Sequence, residues 1–122
     1  MTDEEKVEAY LSKLEPNVHD IALGLRARLN ALGPDLTVKP AWGFPCWFGN
    51  ERVASVIGHS DRCNLQLWSD NRLADKFPAR IEGTGKALRH VKIRSTSDID
   101  EEVDEIIKAA IALDASAPER VR

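Results

Sequence analysis

The stretch "CWFGNERVASVIGHSDRCNLQLW", Cys46 to Trp68, decides the fold. Cys46-Trp47-Phe48 and the run from Arg52 to Ile57 flank Gly49-Asn50-Glu51, whose residue types favour a turn, so the two runs read as a hairpin. Ser60-Asp61-Arg62 turns the chain again, into Cys63 to Trp68, where Cys63, Leu65 and Leu67 alternate with Asn64, Gln66 and Trp68. Strands joined by short turns run antiparallel, so the stretch is a meander.

On its N-terminal side Leu36 and Val38 alternate against Thr37 and Lys39, but Pro40 and Pro45 confine that segment to an edge strand or an extended loop. Before it lie two helices. Thr2-Asp3-Glu4-Glu5 has the spacing of a capping box, and Val7, Tyr10, Leu11 and Leu14 repeat at helical period, which predicts a helix from Asp3 to Leu14. Pro16 suits the first turn of a second helix, whose stripe of Val18, Ile21, Ala22, Leu25, Leu29 and Leu32 ends at Gly33-Pro34.

On the C-terminal side Ser69 to Ile81 is polar and broken by Pro78, with a short helical turn around Leu73 to Phe77. A further strand is predicted from Leu88 to Arg94, with Val91 and Ile93 opposing His90, Lys92 and Arg94. Ser97 then has the position of an N-cap for a last helix that carries Ile99, Val103, Ile106, Ile107, Ala110 and Ile111 on one face and ends near Asp114. The expected architecture is α+β: an antiparallel sheet of four to five strands covered by helices on one face, in the order α-α-β-β-β-(β)-α. It forms a single domain with its core at about residues 3 to 114 and a mobile tail from 115 to 122.

A chain of 122 residues buries about 65% of its extended surface on folding and needs no staples. Two cysteines, an acidic start without a signal-peptide pattern and no apolar run of membrane-spanning length point to a cytoplasmic protein with free thiols and no membrane partner. A net charge of -3 disfavours nucleic acid as a partner.

The sheet face away from the helices is expected to carry Trp47, Asn64, Gln66, Trp68, His90, Lys92 and Arg94, a mixture that suits a ligand cleft or a homodimer surface. "WGFPCW", Trp42 to Trp47, sets two indoles beside a proline-held loop, a wall for a flat ligand as well as a core corner. Gly83-Thr84-Gly85-Lys86 has neither the spacing of a Walker loop nor a helix after it, yet its amides can converge on an anion beside Lys86, Arg89 and Lys92. The ligand-binding candidates are therefore Trp42, Pro45, Trp47 and Trp68 with Gly83, Gly85, Lys86, Arg89, His90 and Lys92. Cys46, Cys63, His59 and His90 lack zinc spacing, and no nucleophile, base and orienter share a motif, so an enzyme is the least supported reading. Glu101 and Glu105 share a helix face, as do Asp100 and Asp104, and their oxygens are the candidate ligands of a weakly bound hard cation such as iron.

The segments "LRARLNALGPDL", "KPAWGFPCWFG", "VIGHSDRCNLQLW", "IEGTGKALRHVKIRSTSDID" and "IIKAAIALD" together resemble the YdhG-like family, a bacterial group of domains of unknown function whose described members are called frataxin-like intracellular iron chaperones. The similarity runs from about Tyr10 to Asp114, with Trp42 to Pro45 and Gly83 to His90 as its specific parts. It implies an α+β fold and a small non-enzymatic binding protein that handles iron through surface carboxylates.

Overall fold

The computed structural model of the chain describes residues 1–68, 70–83 and 88–116. Helices α1 (Asp3–Ser12) and α2 (Pro16–Leu32) precede strands β1 (Thr37–Ala41), β2 (Phe44–Phe48), β3 (Arg52–Gly58) and β4 (Cys63–Trp68). The short α3 (Asp70–Ala74), strand β5 (Leu88–Ile93), a 3-10 turn (Thr96–Asp98) and α4 (Glu101–Ser116) follow. The five strands lie side by side in chain order and each pairs antiparallel with the next. This is the expected α+β meander, with helices at both ends of the chain. The expected loop residue Ser69 and residues 117–122 of the expected mobile tail lie outside the described residues.

Local chemistry sets the helix ends. The Thr2 hydroxyl accepts the Glu5 amide at 3.1 Å while the Glu5 carboxylate accepts the Thr2 amide at 3.0 Å, which completes the capping box and holds the Glu5 carboxyl below its usual range. α2 opens on Pro16 and closes where the Gly33 amide reaches the Leu29 carbonyl. Ser97 is not the cap of the last helix. Ile99 turns into the core and breaks the helical path, so Ser95 caps the 3-10 turn with Asp98, and Asp100 caps α4 by accepting the Val103 amide at 3.1 Å.

Alternation along the strands gives the sheet two faces. Ala54 and Val56 of β3 pair with Leu67 and Leu65 of β4, which in turn face Arg89 and Val91 of β5, and this face packs against α2 and α4. Each aliphatic side chain buried there contributes about 1.5–3 kcal/mol, enough to fix which face is inward. At the sheet's end Gly58 leaves room for the Leu14 side chain, whose tip would lie 2.4 Å from a Cβ there, and the Gly58 amide donates to the Tyr10 hydroxyl at 2.9 Å.

Two of the ligand-binding candidates lie on the helix side. Trp47 pairs with Ala54, is 1% exposed and donates its Nε1 hydrogen to Asn30 Oδ1 of α2 at 2.9 Å. A large ring with one donor gains most from burial when that donor is met, and α2 supplies the acceptor. Arg89 pairs with Leu67 and shares the parity of Val91, so it too is buried on the helix side, where a guanidinium N–H donates to the Leu88 carbonyl at 2.7 Å.

A candidate site under the hairpin arm

Two proline and bulge effects shape the outer face. Pro40 and Pro45 pair with each other across the β1–β2 hairpin. Pro45 has no amide to give to β3, and pairing between β2 and β3 begins only at Cys46. The tip of the hairpin is therefore free of β3 and reaches across the outer face as an arm: the Trp42 ring stacks on Trp68 of β4, two strands away, with centroids 5.2 Å apart. The bulge lies where Trp47 pairs with Ala54 but Phe48 with Arg52, leaving Val53 as an extra residue. Without it Arg52 would share the parity of Ala54 and point at the helices. With it, the Arg52 guanidinium lies 4.1 Å from the Trp42 ring centre and 5.0 Å from that of Trp68.

Strain accompanies this arrangement. Trp42 and Gly43 form the two-residue turn with φ of 52° and 84°, the positive pair that normally selects Asn-Gly. Holding an indole-bearing residue there costs about 1–2 kcal/mol, which the stack on Trp68 and the cation–π contact with Arg52 roughly offset. Trp42 is nonetheless 59% exposed, and Leu88, which pairs with Trp68, is 40% exposed, so the cluster has an open apolar rim.

Nη1 of Arg52 and Nε1 of Trp68 are buried without partners among the described residues, and the buried Ser55 hydroxyl has only the Cys46 thiol beside it. Ser55 pairs with Cys46 on one side and Gln66 on the other, and all three belong to this face. The neighbouring Cys46 thiol is a weak partner for the Ser55 hydroxyl. Burial pushes that thiol up, and the hydroxyl with the Arg52 and Lys39 charges only partly offsets it. Lys39 also sits 4.7 Å over the Phe48 ring. Burial on the helix side pushes the Cys63 thiol up to about 11. Burial thus disfavours the thiolate form at both sulfurs.

The remaining candidates distribute as follows. His90 and Lys92 are on the outer face, paired with Gln66 and Asn64, and Lys92 Nζ lies 3.4 Å from the Glu82 carboxylate. His90 and Glu82 exchange backbone hydrogen bonds, which seat the Gly83 backbone at a φ of 123° against the start of β5. Gly85 and Lys86 lie outside the described residues. Pro45 acts through the arm rather than by contact. Arg52 was not readable as a site residue, because only the bulge brings it to Trp68.

Three of the four acidic candidates on the last helix and its cap are already engaged. Asp100 holds Arg80 at 3.1 Å and caps Val103, whose amide keeps the Asp100 carboxyl below its usual range; Asp104 pairs with Arg28, and Glu105 with Lys108 at 3.2 Å, while Glu101 is exposed. Among the described residues no group of three His, Cys, Asp or Glu side chains gathers into a metal-ligating set. A groove of about 390 Å³ lined by Glu4, Val7, Glu8, Arg26, Asn30 and Val38 opens between α1, α2 and β1, but its Arg26 pairs with Glu8 and its Asn30 with Trp47. Among the described residues no helix is long and apolar enough to cross a membrane.

Among protein families, residues 7–113 match the model of DUF5655, described as a domain of unknown function, and the match supplies no YdhG-like or frataxin-like name. No curated protein and no solved structure gives a significant match.

Proposed function

The chain belongs to the DUF5655 family, and from that premise we propose that it is a non-enzymatic binding module that takes a small anionic or aromatic ligand at Trp42, Trp68 and Arg52. The observation that carries the reading is the arm itself: a strained turn holds an exposed indole over a buried one, with a guanidinium against both rings. Backbone strain of this kind persists where the surrounding contacts over-determine it, and it concentrates at ligand clamps. Charge agrees. Within a chain of net charge -3, Lys39, Arg52 and Lys92 share the outer face, and Glu82 lies beside Lys92 as a partial counter-charge. The iron-handling role implied by the YdhG-like resemblance has less support, because Asp100, Asp104 and Glu105 already hold Arg80, Arg28 and Lys108.

The test is a panel of aromatic and anionic metabolites read by melting temperature and indole fluorescence, on the native chain and on Trp42→Gly. Gly relieves the positive φ while removing the ring, so the variant should fold with a stability within about 1 kcal/mol of native, the strain relief and the lost stack being of similar size. Hits on the native chain should be lost or weakened at least about tenfold in the variant, as expected when one aromatic wall goes. A panel without hits, or hits indifferent to Trp42→Gly, would reject the reading.

A further inference from the structure

We infer that the group recognised at this site is a carboxylate carried on a flat ring, so that the ligand class is the small aromatic carboxylates, bound between Trp42 and Trp68. The inference rests on the reading that the cluster is a ligand site and goes beyond it by naming the ligand's chemistry. Two buried donors point to an acceptor-rich partner: Nη1 of Arg52 and Nε1 of Trp68 have no acceptor among the described residues, and the Ser55 hydroxyl on the same face is held only by its weak contact with the Cys46 thiol. Ser55 is fully buried and Trp68 is 6% exposed, so these groups are not solvated substitutes for a partner. Leaving them unpaired is costly, and a ligand that brings two acceptor oxygens removes that cost.

The remaining features choose the oxygens' carrier. A guanidinium matches a carboxylate through parallel N–H groups, whereas Lys39 adds charge without geometry. The two indoles stack in a tilt of 24°, so what enters between them has to be flat. Entry requires the arm to lift, and the arm is suited to lifting because β2 is tied to β3 only from Cys46 onward. The ring then takes the stack on Trp68, Trp42 closes over it, and the carboxylate reaches the Arg52 side. No bond is made or broken.

Calorimetric titration with 2-naphthoate, 2-naphthamide and cyclohexanecarboxylate tests the ligand class. The naphthoate should bind at least about tenfold more tightly than either relative, since the amide loses a charge-assisted hydrogen-bond pair and the cyclohexane ring loses the stack. Arg52→Gln should bring the naphthoate down to the level of the amide, and Arg52→Lys, which keeps the charge but not the fork, should fall between. Circular dichroism on both variants checks that they fold. Equal affinity for naphthoate and naphthamide, or for naphthoate and cyclohexanecarboxylate, overturns the inference while leaving the ligand site standing. No heat from any of the three, with panel hits that still depend on Trp42, overturns it in the same way; no heat and no such hits overturns the site as well.

Discussion

Trp47→Ala should lower the unfolding free energy by about 4 kcal/mol, the size expected when a fully buried aromatic is truncated and a cavity remains. The ring is 1% exposed beneath α2, and its removal also strands Asn30 Oδ1, which accepts the indole hydrogen at 2.9 Å. Trp47→Phe keeps most of the apolar volume but not the donor, and should cost about 1–2 kcal/mol. Urea denaturation of both variants, set beside Trp42→Gly, separates two tryptophans only five positions apart: one holds the sheet to the helices, the other is nearly dispensable for stability. A Trp47→Ala chain as stable as native would place that ring on the outer face after all.

Asp114→Ala is expected to cost about 3 kcal/mol, because a single carboxylate organises the whole β2–β3 turn and hydrogen bonds to charged groups are each worth about 1.5–3 kcal/mol. One carboxylate oxygen accepts the Asn50 amide at 2.7 Å and the other the Glu51 amide at 2.8 Å, while the Asn50 side chain donates to the Asp114 carbonyl at 3.1 Å. A carboxylate in the last turn of a helix opposes the helix dipole, so its place near the end of α4 is explained by the turn it holds and not by the helix. In a thermal melt the loss corresponds to roughly 10 °C for a domain of this size. Asp114→Asn retains one acceptor and should lose about half as much. A melt unchanged by Asp114→Ala would mean that the turn closes without the helix.

The strands of the meander were legible because Cys63, Leu65 and Leu67 alternate without interruption and their turns are built from turn-forming residues. Helix starts were legible wherever a cap is local, as at Thr2 and Pro16. They were misread at Ser97, where burial of Ile99 splits one apparent helix into a 3-10 turn and α4. The faces of Trp47 and Arg89 were misread for a different reason. Trp47 stands beside two prolines that blur the period, and Arg89 is a charged residue at an inward position, where composition argues for solvent.

The site itself was half legible. Trp42 and Trp68 were each named as candidates, but the wall was expected from Trp47 with one or the other; the Trp42–Trp68 contact depends on an arm that Pro45 frees by withholding an amide from β3. Arg52 depends on a bulge, and a bulge leaves no mark in a sequence whose strand pairing is unknown. Such displacements are tertiary facts, and the residues they deliver are those that pattern reading passes over.

The most direct test of the site is a titration of the nitrogen-15-labelled chain with 2-naphthoate, followed through the three indole N–H signals and the Arg52 side-chain N–H. The signals of Trp42, Trp68 and Arg52 should shift together and saturate, while that of Trp47, locked to Asn30 on the other side of the sheet, stays in place. Shifts confined to Trp47 or to the acidic face of α4, with Trp42 and Trp68 unmoved, would contradict a ligand site beneath the arm.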